Sequence, residues 1–157
     1  MRKTWLFILT GVAVVALSGA AQAPQHAPRK QVIQAKGAPP SQTPFSPALL
    51  VGDTLYLSGA LGLNPATGQL PEGGFEPELR QLFANTQSLL DAAGMQPSDV
   101  VSTTVYLGDM KDFPQLNQIY REYFKTEPLP TRSTVAVKEL ARSAHVEITM
   151  TAVRTSQ

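Results

Sequence analysis

Leu129-Pro130-Thr131-Arg132-Ser133-Thr134-Val135-Ala136-Val137 and His145-Val146-Glu147-Ile148-Thr149-Met150-Thr151-Ala152-Val153 decide how this chain is read. Both runs are rich in β-branched residues, and the second alternates at the two-residue period of a half-buried strand, so each is predicted as a strand. Each carries a charge near its start, among apolar and hydroxylic neighbours. Arg132 stands just behind Pro130 at the mouth of the first strand, and Glu147 stands inside the second. A charge in such a setting costs free energy unless something uses or pairs it. Arg132 and Glu147 are therefore the candidate catalytic residues, and the remaining chain is predicted to hold them.

Working back from these strands, Phe113, Leu116, Tyr120, Tyr123 and Phe124 recur at helical spacing, which predicts a helix over 113–124 with Asp112 as its N-cap and Pro114 in its first turn. Asn117 sits beside that stripe, where an amide would need a buried hydrogen-bond partner such as backbone. Residues 99–107 alternate and form a central strand. Leu79, Leu82, Phe83, Thr86, Leu89, Leu90 and Ala93 form one face of a helix over 77–93, with Pro77 first and Gly94 as the C-terminal cap. Three strands precede it. The first covers 31–35. The second covers 45–51 and is interrupted by Pro47. The third covers 54–58 and is extended by 61–63. The predicted order is β-β-β-α-β-α-β-β, an α+β domain whose one sheet is covered on one face by two helices. Its other face needs cover too, and the chain has no cysteine to stabilise it otherwise, so self-association is expected.

Length and composition agree with a single domain. The chain has 157 residues, 43% hydrophobic and 16% charged, enough apolar character for a real core. A formal net charge of +1 without any basic stripe argues against a nucleic-acid partner. Residues 1–23 read as a signal peptide: Arg2 and Lys3, an apolar run from Trp5 to Leu17, then small residues ending in Ala21-Gln22-Ala23. Cleavage after Ala20, Ala21 or Ala23 fits. The run is short for a spanning helix, and an uncleaved anchor is the competing assignment. Residues 24–30 form a linker with a solvated His26, and residues 31–157 form the folded domain. Export, most simply to the periplasm, follows, with no stable membrane span after cleavage. With no cysteine and only His26 and His145, a transition-metal site is not expected. Ser133 lacks partners for a hydrolase triad.

The chain resembles the RidA/YjgF family of enamine/imine deaminases. The likeness rests on Leu55-Tyr56-Leu57-Ser58-Gly59, Asn64-Pro65-Ala66-Thr67-Gly68, Leu89-Leu90-Asp91-Ala92-Ala93-Gly94, and Val101-Ser102-Thr103-Thr104-Val105-Tyr106-Leu107. It continues through Asp112-Phe113-Pro114-Gln115-Leu116-Asn117 with Tyr120 and Phe124, then Pro130-Thr131-Arg132-Ser133 and Val146-Glu147-Ile148. Any one piece is weak, but all occur in order between Gln31 and Arg154. The resemblance implies a chorismate-mutase-like fold, a homotrimer with a site in each intersubunit cleft, and no metal or organic cofactor. It also implies hydrolysis of reactive 2-imino acids, such as 2-iminopropanoate and 2-iminobutanoate, to 2-oxo acids and ammonia.

The chemistry of the residues agrees. A planar guanidinium suits a carboxylate, and a glutamate can position water and accept its proton. By the same resemblance Phe45, Ser58, Gly59, Asn117 and Thr134 join Arg132 in substrate binding. Asn117 is the more structural of these. Three positions depart from the family pattern. Phe45 replaces a tyrosine, Ala60 a glutamine and Thr134 a cysteine, which leaves Arg132 and Glu147 intact but alters the pocket wall. Two further readings stay open: a non-catalytic exported trimer binding small carboxylates or protein surfaces, and a mutase-type enzyme, which would need more cationic groups around a dicarboxylate than this site offers.

Overall fold

The computed structural model describes residues 29–38 and 43–154. The signal-peptide assignment for 1–23 and the linker assignment as far as residue 28 lie outside the described residues. Strands β1 (Lys30–Ile33), β2 (Ala48–Val51) and β3 (Thr54–Ala60) precede helix α1 (Phe75–Ala92). Strand β4 (Val100–Leu107), helix α2 (Phe113–Tyr123), and strands β5 (Thr131–Ala136) and β6 (Val146–Val153) follow. This is the predicted β-β-β-α-β-α-β-β order. The six strands form one sheet in the order β1-β2-β3-β6-β4-β5. All neighbours are antiparallel except β4 and β5, which are parallel. Helix α2 supplies the crossover that a parallel pair requires.

β6 lies in the middle, between β3 and β4. Its side chains alternate: Val146, Ile148, Met150 and Ala152 are buried, while Glu147, Thr149, Thr151 and Val153 are partly exposed. The buried set meets Leu55, Leu57, Val105 and Leu107 on the same face and Leu79, Leu82, Phe83, Leu90, Leu116, Ile119 and Tyr120 from the helices in one core. Each fully buried leucine adds roughly 1.5–3 kcal/mol. Among the described residues the opposite face carries no helix. Tyr56, Thr151 and Ser102 share one row of it, and Glu147, Tyr106 and Val135 share another. Tyr56 and Val135 stand about half exposed there.

Helix α1 begins at Phe75, two residues before Pro77. Gly73 and Gly74 both take positive φ, a turn that only glycine enters cheaply, and this lets the helix start early. Its carboxyl end is closed by Gly94 at φ 67°, as expected. Asp112 holds the N-cap position of α2, as expected, but its side chain makes no cap hydrogen bond. Asp109 accepts from the Lys111 backbone N–H instead, at the head of a short 3₁₀ turn that leads into α2.

One carboxylate sits inside the helix–sheet layer. Glu78 of α1 is fully buried and accepts from the backbone N–H groups of His145 and Val146 at 2.9 and 3.2 Å, and its second oxygen lies 2.8 Å from His145 Nδ1. His145 is thus a satisfied polar residue at the head of β6. Gly62 lies against the Glu78 backbone carbonyl so closely that a Cβ there would overlap it.

Candidate functional site

Arg132 is on β5, an edge strand. It stands opposite Thr103 in a parallel register, so both side chains belong to the helix-covered face. Its Nη2 donates to Asn117 Oδ1 at 2.6 Å. The guanidinium carbon lies 4.6 Å from the Tyr120 ring centroid and 5.6 Å from that of Phe113. Three residues of α2 therefore hold it, one by a hydrogen bond and two by aromatic faces. Burial holds the Tyr120 phenol above its ordinary pKa, against the opposing pull of a hydrogen bond with Thr103 and the Arg132 charge. It therefore presents a neutral ring at pH 7. Among the described residues the Asn117 bond is the one hydrogen bond Arg132 makes, which leaves most of its five N–H donors for a ligand. Thr134 is two residues further along the same face, and its Oγ1 is buried without a hydrogen-bond partner among the described residues.

Glu147 points the other way. It lies between buried Val146 and Ile148, on the face without helices, with Tyr106 beside it on β4. Towards β3 it meets Gly59, where a Cβ would fall inside the Glu147 carboxylate. The register explains the close approach. Leu57 pairs with Met150 and Ala60 with Ile148, so Ser58 and Gly59 together oppose Thr149 in a β-bulge. Ser58 Oγ donates to the Ser46 carbonyl at 2.7 Å, and Ser58 N–H to the Pro47 carbonyl at 3.0 Å. These bonds tie the Phe45–Pro47 segment to the bulge. Phe45 is 56% exposed. Among the described residues Glu147 has no ion-pair partner.

The predicted residues therefore separate into two groups. Arg132, Asn117 and Thr134 form one. Glu147, Gly59 and Ser58, with Phe45 on the tied segment, form the other. Arg132 and Glu147 do not meet within one chain: their strands are separated by β4, and they face opposite sides. The expectation that Asn117 bonds buried backbone is corrected, since its oxygen is spent on Arg132. Tyr120, Phe113 and Thr103 were not anticipated around Arg132. Phe113, Asn117 and Tyr120 fall at i, i+4 and i+7 of one helix, so their common face was open to view in the sequence.

One sheet with both helices on one face, and a charged group presented from each side, defines a chorismate-mutase-like α+β domain. The chain belongs to the RidA/YjgF family: residues 21–154 match the family model described as endoribonuclease L-PSP. A RutC family protein of Aquifex aeolicus is 42% identical over 123 residues, covering 78% of this chain and 98% of that protein. A 2-iminobutanoate/2-iminopropanoate deaminase of Homo sapiens is 39% identical over 125 residues, covering 80% of this chain and 90% of that one. The crystal structure of RidA from Psychrobacter sp. PAMC 21119 superposes with a TM-score of 0.73 at 38% identity, covering 79% of this chain and 99% of its own.

Proposed function

We propose that this chain hydrolyses reactive 2-imino acids, such as 2-iminopropanoate and 2-iminobutanoate, to 2-oxo acids and ammonia. It works as a homotrimer in which Arg132 of one subunit and Glu147 of the partner subunit share each cleft. The observation that carries the reading is the Arg132 guanidinium, fixed by Asn117 and Tyr120 with most of its donors unspent. A fixed, planar, cationic fork is suited to the carboxylate of a 2-imino acid. The curated relatives named as deaminases of this substrate class support it, as does the helix-free face with Tyr56 and Val135 exposed.

Arg132 clamps the carboxylate and so sets the position of the adjacent C=N carbon. Glu147, without an ion-pair partner among the described residues, holds a water and takes its proton as the oxygen adds to that carbon. The imine nitrogen gains protons and leaves as ammonia, and the carbon keeps the water oxygen as a 2-oxo group. Gly59, Ser58 and Phe45 line the Glu147 side, and Thr134 lines the Arg132 side. The gain is mainly positional, because such imines already react with water. No part of the reaction calls for a metal or organic cofactor. The reading places the protein outside the cytoplasm, most simply in the periplasm, on the strength of residues 1–23.

The test is to generate 2-iminopropanoate in place with an amino-acid oxidase and follow its loss against a semicarbazide trap. Wild type should accelerate the loss, while Arg132→Ala and Glu147→Gln should each abolish the acceleration with the assembly intact. Normal turnover in either variant would overturn the assignment. Carboxylate binding that Arg132→Ala weakens and Glu147→Gln leaves alone, without turnover, would point instead to a binding trimer. The altered wall at Phe45, Ala60 and Thr134 is what favours that second reading.

A further inference from the structure

Tyr120 is not one of the two candidate catalytic residues, yet its ring is the nearer of the two aromatic faces on Arg132. The guanidinium carbon is 4.6 Å from its centroid, against 5.6 Å for Phe113. The ring is itself pinned. Tyr120 OH lies 2.9 Å from Thr103 Oγ1, a pair buried between α2 and β4. Thr103 Oγ1 also lies 3.4 Å from the carbonyl oxygen of Thr131, the residue before Arg132. A single hydroxyl on β4 thus touches both the ring on which Arg132 rests and the backbone from which Arg132 springs. The ring packs edge-on to Phe83 of α1, at 6.2 Å and 68°, and at 4.5 Å to Phe124, so it has little room to turn.

An arginine on an edge strand would ordinarily keep much of its rotamer freedom. The Asn117 bond fixes one nitrogen but leaves the guanidinium plane free to swivel about it. A ring face 4.6 Å from the guanidinium carbon restricts that freedom, through cation–π attraction and simple contact. We infer that Tyr120 is the positioning residue of Arg132: its ring sets the plane in which Arg132 meets a carboxylate, and Thr103 sets the ring. The inference deepens the proposed function and rests on Arg132 being the carboxylate-binding group. It assigns two parts to Tyr120. The aromatic face is essential, and the hydroxyl is supporting. It also gives Thr103 a task that its position in the core does not otherwise require.

Three variants separate these parts. Tyr120→Leu removes the face, Tyr120→Phe keeps the face and removes the hydroxyl, and Thr103→Val frees the hydroxyl while preserving shape. Each is titrated with 2-oxobutanoate by calorimetry and assayed for imine loss, alongside wild type and Arg132→Ala. The Arg132 Nε–H signal is followed by side-chain nitrogen NMR, which reads guanidinium rotation without relying on activity. Tyr120→Leu should weaken 2-oxobutanoate binding about tenfold, lower kcat/KM by at least as much, and release the slow guanidinium rotation. Tyr120→Phe should stay within about threefold of wild type, and Thr103→Val should fall between the two. If Tyr120→Leu is folded and Arg132 rotates and binds as in wild type, the inference is overturned. It is also overturned if Tyr120→Phe is as impaired as Tyr120→Leu, since the face would then not be what matters. Should Tyr120→Leu fail to fold, Tyr120→Met, which fills the space without an aromatic face, takes its place under the same outcomes, and an unchanged guanidinium rotation in both Tyr120→Phe and Thr103→Val overturns the link to Thr103 while a faster one supports it. If Arg132→Ala binds 2-oxobutanoate like wild type, the reading of the site itself fails, whatever the Tyr120 variants do.

Discussion

Arg132 and Glu147 stand on opposite faces of one sheet, with β4 between their strands. Across two strand spacings, roughly 10 Å, and through the sheet itself, one chain cannot bring both to the same small molecule. A site using both must join the helix side of one copy to the helix-free face of another. The side chains along that face, from Tyr56 through Thr151 to Ser102 and from Glu147 to Val135, are those such a contact would cover.

Mixing inactive variants tests this arrangement. In the proposed trimer, Arg132→Ala and Glu147→Gln should each be inactive on their own. Unfolding and refolding them together at equal amounts should restore about a quarter of wild-type turnover, because a quarter of the clefts then combine an intact Arg132 with an intact Glu147. Recovery of nothing, with mixed trimers confirmed by mass spectrometry, would overturn the shared cleft.

Gly59 is expected to tolerate no side chain. A Cβ there would occupy the space of the Glu147 carboxylate, so Gly59→Ala should displace Glu147. Turnover should fall by about a hundredfold while the midpoint of thermal unfolding moves by only a few degrees. A wild-type rate in Gly59→Ala would show that the position of Glu147 is not critical.

Asn117→Ala should leave Arg132 resting on its aromatic faces but without its hydrogen bond. The expected result is a KM raised about tenfold with a smaller change in kcat. Asn117→Asp, which would draw Arg132 into an ion pair, should be worse than Asn117→Ala. Equal effects would argue that only the volume of the side chain counts.

Glu78 should matter for stability. Removing its carboxylate strands two backbone N–H groups at the head of β6. Glu78→Ala should therefore cost about 3 kcal/mol in denaturant unfolding, and Glu78→Gln, which keeps one acceptor, less. The His145 and Val146 amides should lose hydrogen-exchange protection first.

Alkaline titration gives a further check. Burial is the leading cause that raises both Tyr120 and Tyr123, the latter helped by the nearby Asp91 charge. Their folded forms hold the proton longer than the unfolded chain does. Stability should thus be fully present below about pH 10 and decline as the pH rises beyond it. Ultraviolet titration should show Tyr120 and Tyr123 ionising late or only with unfolding. Ionisation of both near pH 10 with the fold retained would contradict the burial described here.

Much of the fold was legible because alternation and helical spacing are local. The alternating buried residues of β6 and the Leu79, Leu82, Phe83 and Leu90 face of α1 can be counted along the sequence. The early start of α1 was hidden because it depends on Gly73 and Gly74 entering left-handed backbone, which the proline signal at Pro77 outweighed. The sidedness of Arg132 and Glu147 was hidden for a different reason. Alternation says which residues share a face within one strand, but only the parallel β4–β5 register relates Arg132 to Thr103 and hence to the helix layer. The Glu78 contacts with His145 and Val146 span 67 and 68 positions and leave no local pattern at all.

The place of β6 has a consequence for the time course of synthesis. It follows every other strand in the chain, yet it is the sole hydrogen-bonded link between the β1-β2-β3 ladder and the β4-β5 pair among the described residues. A ribosome that has released everything up to residue 140 holds two strand groups that do not yet share a ladder. Each then exposes an unpaired inner edge, at β3 and at β4, to chaperones and to other nascent chains. The sheet is complete only once β6, made last, has paired with both β3 and β4. The interval before that pairing is when the chain is most open to aggregation and most easily kept unfolded.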